Sequence, residues 1–167
     1  MSDHALDALA VLAGGRLTAA GASLVAAESC TGGWVGQAVT AVSGSSAWFE
    51  RGFVTYSNEA KQEMLGVRAQ TLAAHGAVSE ETAREMAAGA LARSRGTIAV
   101  AVTGVAGPGG GTDAKPVGMV CFAWARGNLL RAETRHFKGD RESVRRQSVM
   151  RALQGVIEWL DEAPGRV

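Results

Sequence analysis

The sequence predicts an α/β fold: a three-layer α/β/α sandwich with a mixed, mainly parallel sheet and a C-terminal hairpin and helix. Helical and strand-like patterns alternate along the chain, an order that covers a sheet with helices. Residues 97–103 form a near-continuous apolar run, typical of a strand buried on both faces of a sheet. Residues 117–125 and 129–137 both have strand patterns, and the Arg-Gly-Asn sequence between them favours a hairpin. These patterns do not give the order of the strands in the sheet.

The first half of the chain is predicted to hold two helices and two strands. Apolar residues recur at helical spacing over residues 3–20, although the glycine pair at 14 and 15 is expected to weaken or break this helix. Residues 22–27 are small and apolar, which suits a buried strand, and residues 31–41 return to helical spacing. Residues 49–56 contain aromatic and β-branched side chains, which favour a strand.

The rest of the chain adds four helices to the strand and hairpin already described. Capping residues predict where most of them begin: Ser57 or Asn58, then Ser79 with two glutamates behind it, and finally Asp140. The four helices are expected over about residues 57–65, 68–74, 79–94 and 140–160. The tail, residues 161–167, is expected to be loose.

Composition excludes several classes of protein. A chain of 167 residues with 47% hydrophobic residues is expected to form a single domain over residues 1–167, with an ordered core over about 5–160. The net charge is +1 and the charges are scattered, so the basic stripe of a duplex-binding protein is missing and no nucleic acid partner is expected. No apolar run approaches the ~20 residues that cross a bilayer, so no membrane partner is expected either.

The termini and cysteines bear on the compartment. The first residues lack a basic segment followed by an apolar core, so no signal peptide is expected. Cys30 and Cys121 lie far apart in the sequence, and two such cysteines in an ordinary-sized domain favour a reducing cytoplasm. No cluster of histidine, cysteine and carboxylate has the spacing of metal ligands, so no metal is expected.

One short stretch, residues 27–33, follows the first strand directly. Ser29 is therefore expected where a strand ends and a helix begins, beside backbone N–H groups that the helix leaves without acceptors. Gly32 and Gly33 leave room for a ligand to approach these amides. The Ser29 hydroxyl could be a nucleophile beside an oxyanion hole or a ligand for phosphate. Alternatively, Ser29 or Thr31 could simply cap the helix.

Polar or glycine-rich turns follow three of the predicted strands, at residues 29–33, 56–61 and 103–111. If these strands are parallel neighbours, the turns lie along one edge of the sheet, where open α/β sheets bind ligands. The third turn has no Gly-Lys-Ser/Thr sequence and is not a Walker P-loop, but its amides could still hold an anion. Arg141 and Arg145, one helical turn apart, could hold a phosphate or could simply be solvated.

A serine nucleophile needs a base, and none of the three histidines lies at this sheet edge. Lys61 does, and burial beside a helix N-terminus would lower its pKa enough for it to act as a base. Tyr56, the only tyrosine, could relay or orient the proton. The alternative is that Lys61 is an exposed helix lysine and Tyr56 an ordinary strand aromatic. Cys30 is a rival nucleophile, ranked behind Ser29 because no histidine is placed to pair with it.

Five motifs in order resemble the C-terminal domain of the competence/damage-inducible protein CinA. The resemblance covers roughly residues 5–160 and rests on residues 27–33, 54–61, 103–111, 115–118 and 137–141. It implies that the chain hydrolyses the carboxamide of nicotinamide mononucleotide, giving nicotinate mononucleotide and ammonia, in pyridine-nucleotide recycling. The family's serine nucleophile and lysine base fall on Ser29 and Lys61, and Tyr56 matches a motif position close to them. The N-terminal domain of longer CinA proteins is absent from this sequence.

The chemistry that the resemblance implies fits the residues and assigns a role to each predicted site residue. Catalysis is expected from Ser29, Lys61 and Tyr56, with either Lys61 or Tyr56 returning the proton to ammonia. No metal or cofactor is required, and the chain is expected to form a homo-oligomer. The alternative is a non-catalytic module that binds a nucleotide or a partner in the same cleft. The residues expected to bind the oxyanion or the substrate are Cys30, Thr31, Gly32, Gly33, Thr103, Gly104, Gly107, Gly109, Gly110, Arg141 and Arg145.

Overall fold

The computed structural model describes residues 3–162 and contains six α-helices and five strands in that range. The helices are α1 His4–Ala20, α2 Trp34–Thr40, α3 Asn58–Leu65, α4 Ala69–His75, α5 Glu80–Ala92 and α6 Arg141–Leu160. The strands are β1 Leu24–Glu28, β2 Phe49–Val54, β3 Ile98–Gly104, β4 Met119–Arg126 and β5 Leu129–His136. A short 3₁₀ helix, Ser45–Ala47, precedes β2. The predicted elements are confirmed, with boundaries that shift by up to three residues.

The five strands form one sheet in the order β2-β1-β3-β4-β5. Strand β1 is parallel to both of its neighbours, while β4 runs antiparallel to β3 and to β5. Four of the five strands therefore point in one direction, and the predicted mixed, mainly parallel sheet with a C-terminal hairpin is confirmed. Glu28 at the end of β1 is level with Val54 of β2 and Val102 of β3. The turns that follow these three strands therefore emerge side by side.

Helices cover both faces of the sheet, which confirms the three layers. Side chains such as Leu24 and Val100 pack on one face against α1, α2 and α6. Alternate residues of the same strands, such as Val25 and Ala101, pack on the other face against α3, α4 and α5. Every residue of β1 is buried, as expected for a central parallel strand. Each large aliphatic side chain buried in this way contributes about 1.5–3 kcal/mol to folding.

The glycine pair does not break α1, so the expectation of a break was wrong. Helix α1 is continuous from His4 to Ala20 and begins at an Asp3 cap. Gly14 faces the ring of Trp48, and a Cβ placed there would lie 2.6 Å from that ring. Gly14 therefore permits a close approach between α1 and Trp48, and this tertiary contact outweighs the low helix propensity of glycine.

The start of the predicted loose tail is held in place. Asp161 pairs with Arg16, and Glu162 pairs with Arg131. The rest of that predicted segment, residues 163–167, lies outside the described residues. None of the helices within residues 3–162 combines the length and apolar character needed to cross a bilayer.

Candidate active site

The three turns at the sheet edge open onto one cavity of about 310 Å³. The turn after β1, the segment joining β2 to α3 and the loop after β3 all contribute to its wall. Helix α6 and the segment before α5 complete it. The lining residues are Ser29, Cys30, Tyr56, Asn58, Lys61, Ala77, Val78, Thr103, Gly104, Val105, Ala106, Gly107, Gly109, Gly110 and Arg141.

Ser29 and Lys61 meet at the base of this cavity. The Nζ atom of Lys61 lies 2.9 Å from Oγ of Ser29. Lys61 is 1% exposed and Ser29 is 8% exposed. The interpretation of Lys61 as an exposed helix lysine therefore fails, because this amine is buried against the serine hydroxyl.

The surroundings of Lys61 favour the neutral amine. Burial lowers the pKa of Lys61 below the usual lysine value of 10.5. Its two other neighbours are the carbonyl oxygens of Thr55, at 2.9 Å, and Tyr56, at 3.2 Å. None of the ion pairs found within residues 3–162 involves Lys61. A neutral amine can donate its two N–H groups to these carbonyls and use its lone pair to accept the Ser29 hydroxyl proton.

Local sequence explains why Lys61 points at Ser29. The hydroxyl of Ser57 caps α3 by accepting from the amide of Ala60, so the helix begins at Asn58 and Lys61 falls in its first turn. The amide of Thr55 donates to the carbonyl of Glu28 at 2.8 Å, which ties the end of β2 to the end of β1. Lys61 is the fourth residue of α3, and its long side chain turns back over this junction to the Thr55 carbonyl.

Glu28 is a site residue to which the sequence analysis assigned no role. Its carboxylate is 1% exposed and accepts from the hydroxyl of Thr31 at 2.6 Å. It also accepts from the amides of Val35 at 2.8 Å and Gly36 at 3.0 Å, so it occupies the positive end of α2. An acidic residue between an apolar strand and a helix start was the signal that could have identified this contact.

The predicted amide donors of the turn after β1 divide into two groups. Cys30 lines the cavity, whereas Thr31, Gly32 and Gly33 do not. Gly32 has φ 59° and Gly33 has φ 103°, so both glycines serve the left-handed backbone of the turn itself. Within residues 3–162, the amides of Cys30 and Thr31 donate to no backbone carbonyl. The turn itself therefore does not use these two amides, and of the two residues only Cys30 lines the cavity, which makes its amide the first candidate donor to an oxyanion.

Arg141 and Arg145 have different contacts. Arg141 lines the cavity and donates to the carbonyl of Gly107 at 2.8 Å and to the hydroxyl of Tyr56 at 3.3 Å. Arg145 does not line the cavity, because its guanidinium donates to the carbonyls of Cys30 and Thr31. These contacts favour Arg141 over Arg145 as the group that holds a substrate phosphate.

The loop after β3 provides the glycine-rich wall that the sequence predicts. Gly104, Gly107, Gly109 and Gly110 all line the cavity. At Gly107 a Cβ would lie 2.4 Å from Val117, and the positive φ of 82° also requires glycine. Thr103 is buried, and its hydroxyl donates to the carbonyl of Ala77 at 2.9 Å. Thr103 therefore joins this loop to the segment before α5.

Tyr56 contributes to the site in two ways. Its backbone carbonyl accepts from Lys61, and its side chain lines the mouth of the cavity. The ring is 63% exposed, and its hydroxyl accepts from Arg141. No hydrogen bond within residues 3–162 joins the phenol to Ser29 or Lys61, so the proposed proton relay through Tyr56 stays a prediction.

The burial of Cys30 argues against this residue as the nucleophile. Burial raises the pKa of the Cys30 thiol to about 12. A thiol in this state carries almost no thiolate at neutral pH, and thiolate is the reactive form. Ser29, whose hydroxyl lies 2.9 Å from Nζ of Lys61, is the better candidate.

Several cavity residues were not predicted from the sequence. Asn58 begins α3, three positions before Lys61, and this helical spacing could have identified it. Ala77, Val78, Val105 and Ala106 form an apolar wall, and a short apolar residue in a loop gives no signal of its own. Within residues 3–162, no group of three or more histidine, cysteine or carboxylate side chains is arranged to hold a metal ion.

Comparison with known proteins identifies the family. The model of the CinA C-terminal domain matches residues 6–160. Nicotinamide-nucleotide amidohydrolase PncC of Escherichia coli (strain K12) is 56% identical over 157 residues, which cover 92% of this chain and 94% of that protein. The protein of the same name from Pseudomonas putida is 50% identical over 153 residues, with 92% and 96% covered.

A solved structure agrees with these relatives. The crystal structure of competence/damage inducible protein CihA from Agrobacterium tumefaciens superimposes with a TM-score of 0.90 at 46% identity. The match covers 94% of this chain and 96% of that one. The shared fold and a family match over residues 6–160 lead to one conclusion: the chain belongs to the CinA C-terminal domain family.

Proposed function

We propose that this protein hydrolyses the carboxamide of nicotinamide mononucleotide to nicotinate mononucleotide and ammonia, with Ser29 as the nucleophile and Lys61 as the base. The observation that carries the proposal is the 2.9 Å contact between Oγ of Ser29 and Nζ of Lys61 in a buried site. The names of the relatives from Escherichia coli and Pseudomonas putida support the same substrate.

The first half of the reaction forms an acyl-enzyme. Oγ of Ser29 attacks the carboxamide carbon while its proton passes to Nζ of Lys61. The carbonyl oxygen becomes an oxyanion, for which the amides of Cys30 and Thr31 are the candidate donors. The C–N bond then breaks, and the leaving nitrogen takes the proton from Lys61 and departs as ammonia. Lys61 returns to the neutral amine, ready for the second half.

The second half consumes water. A water molecule gives a proton to Lys61 as its oxygen attacks the ester carbon of the acyl-enzyme. The bond between that carbon and Oγ of Ser29 breaks, and the serine oxygen recovers its proton from Lys61. The acid formed keeps the second proton of the water and loses it to solvent, so the product is nicotinate mononucleotide in its carboxylate form.

The cavity wall suits the two ends of this substrate. Ala77, Val78, Val105 and Ala106 offer an apolar surface to the pyridine ring. Arg141 and the amides of the glycine loop lie where a phosphate can bind, and binding remote from the reacting carbon helps to position it. Within the described residues, no carboxylate lines the cavity to repel the phosphate.

We also infer that the reaction takes place in the cytoplasm, as a step of pyridine-nucleotide recycling. Cys30 and Cys121 are both buried and unpaired, which fits a reducing compartment.

Ammonia release from nicotinamide mononucleotide by the purified protein tests the proposal. Ser29→Ala and Lys61→Met are each expected to lower kcat by about a hundredfold or more, since a positioned base alone contributes 10²–10⁴-fold. Lys115→Met is the matched control, because Lys115 contacts the carbonyl of His75 and does not line the cavity. Binding of the mononucleotide without ammonia release would instead favour the non-catalytic module.

A further inference from the structure

Arg145 lies one helical turn after Arg141 on α6 and packs against the turn that follows Ser29. Its Nε donates to the carbonyl of Cys30 at 3.0 Å, and its Nη2 donates to the carbonyl of Thr31 at 3.1 Å. The guanidinium carbon stands 5.5 Å from the centroid of the Trp34 ring. The side chain of Arg145 therefore contacts the backbone of the turn and does not line the cavity that a substrate would fill.

These contacts fix the direction of an amide. In a trans peptide, the C=O and the following N–H point in opposite directions. Because Arg145 holds the carbonyl of Cys30, the N–H of Thr31 is directed away from the guanidinium. The carbonyl of Ser29 accepts from the amide of Gly32 at 3.0 Å, which similarly sets the direction of the Cys30 N–H.

The two amides belong to the turn that directly follows Ser29, and one of them is the amide of Cys30, which lines the cavity. They are the first two after the nucleophile, and the N–H of the residue after a nucleophilic serine is an oxyanion donor in other hydrolases. Within residues 3–162, neither the Cys30 nor the Thr31 amide donates to a backbone carbonyl. They are therefore available to a developing negative charge.

The turn is held from its other side by Glu28. Its carboxylate accepts from the Thr31 hydroxyl, while Arg145 holds the Thr31 carbonyl. A Cβ at Gly32 would lie 3.5 Å from Nη2 of Arg145, so the guanidinium lies directly against this glycine. A cation on the two carbonyls also polarises their peptide groups, which strengthens the adjacent N–H donors.

We propose that Arg145 is a positioning residue for oxyanion stabilisation, acting through the Cys30 and Thr31 peptides and not through the substrate phosphate. The proposal rests on the function proposed above. It predicts a loss in kcat that does not depend on whether the substrate carries a phosphate.

The test compares Arg145→Met and Arg145→Lys on nicotinamide mononucleotide and on nicotinamide riboside, which has the same amide and no phosphate. For Arg145→Met, kcat is expected to fall about 10- to 100-fold on both, somewhat less than the loss of a whole oxyanion donor, with KM nearly unchanged. Arg145→Lys keeps the charge but not the two-pronged contact, so an intermediate kcat is expected. Arg146→Met is the control, since Arg146 pairs with Asp3 away from the cavity.

Two kinetic results would overturn the proposal. One is a raised KM for the mononucleotide alone with kcat intact, which would make Arg145 a phosphate ligand. The other is a kcat within twofold of wild type in a variant whose circular dichroism shows native folding. If Arg145→Met does not fold, the kcat and KM of Arg145→Lys are compared with those of wild type by the same two criteria.

Acylation of Ser29 by p-nitrophenyl acetate separates this proposal from the proposed function. That ester uses the same amides without any nucleotide, so the p-nitrophenolate burst is expected to be slower in Arg145→Met. Wild-type protein that gives the burst but releases no ammonia from the mononucleotide would contradict the proposed substrate alone. An equally fast burst in wild type and Arg145→Met would contradict the role of Arg145 alone.

Discussion

Nζ of Lys61 lies 2.9 Å from Oγ of Ser29, although 32 positions separate the two residues in the sequence. They meet because Ser29 follows β1 and Lys61 lies on the helix that follows β2, the strand next to β1. The pairing of β1 with β2 therefore brings the two segments together, and α3 places the Lys61 amine beside Ser29. This placement supplies the preorganisation that the proposed proton transfer requires.

The stability of the protein should depend on pH through Lys61. Its pKa is lowered in the folded state, so between that lowered value and 10.5 the unfolded chain binds more protons than the folded one. The contribution of Lys61 to the free energy of unfolding therefore rises with pH between these two values. Below the lowered pKa, Lys61 destabilises the folded protein by its full amount. Urea unfolding of wild type and Lys61→Met at several pH values measures the effect. The stability difference should shift in favour of wild type as pH rises, and a difference independent of pH would contradict the prediction.

The choice between the two adjacent nucleophiles is open to a direct test. Cys30→Ala removes a buried thiol whose pKa is raised, so ammonia release should stay within about tenfold of wild type, the loss reflecting local repacking only. Ser29→Ala, one position away, should abolish turnover while leaving the helix and sheet intact. The opposite pattern of activities would make Cys30 the nucleophile.

Arg141 should act on binding of the phosphate. Replacing it with methionine removes a charge-assisted contact worth about 1.5–3 kcal/mol, which is roughly a 10- to 100-fold rise in KM for nicotinamide mononucleotide. Nicotinamide riboside is the control substrate, and its KM should change much less. Steady-state kinetics with both substrates decide the matter, and equal changes for the two would argue against a phosphate contact at Arg141.

The two adjacent glycines of α1 should respond in opposite directions to alanine. Gly14→Ala places a methyl group 2.6 Å from the Trp48 ring, and such overpacking costs about 1–3 kcal/mol. Gly15 faces open space within the same helix, so Gly15→Ala should stabilise the protein by about 0.5–1 kcal/mol. Thermal unfolding of both variants tests the two predictions. Destabilisation by Gly15→Ala would show that α1 itself requires glycine at these positions, independently of the contact with Trp48.

Much of the site could be predicted because it is encoded locally. An apolar strand followed at once by polar or glycine-rich residues marks a strand end, and parallel strands bring such ends to one edge. This pattern was enough to select Ser29, Lys61 and the glycine loop. The helix caps at Ser57, Ser79 and Asp140 were likewise visible from single residues, and all three are confirmed.

The remaining features depend on contacts between distant parts of the chain. Arg145 reaches the Cys30 carbonyl across 115 positions, so its role in the turn has no local signature. Gly14 looked like a helix breaker because its neighbour Trp48 belongs to another element. Glu28 stands next to the nucleophile in the sequence, yet its function depends on which amides α2 presents to it. Packing, rather than residue type, decides each of these cases.

The most direct measurement is an NMR titration of Lys61 in protein with ¹³C-labelled lysine, assigned by the signal that Lys61→Met removes. We expect Lys61 to titrate below 10.5, at a midpoint that coincides with the acidic limb of kcat/KM for hydrolysis of nicotinamide mononucleotide. A Lys61 signal that titrates at the usual lysine value would contradict the account, because a charged amine could not take the proton from Ser29.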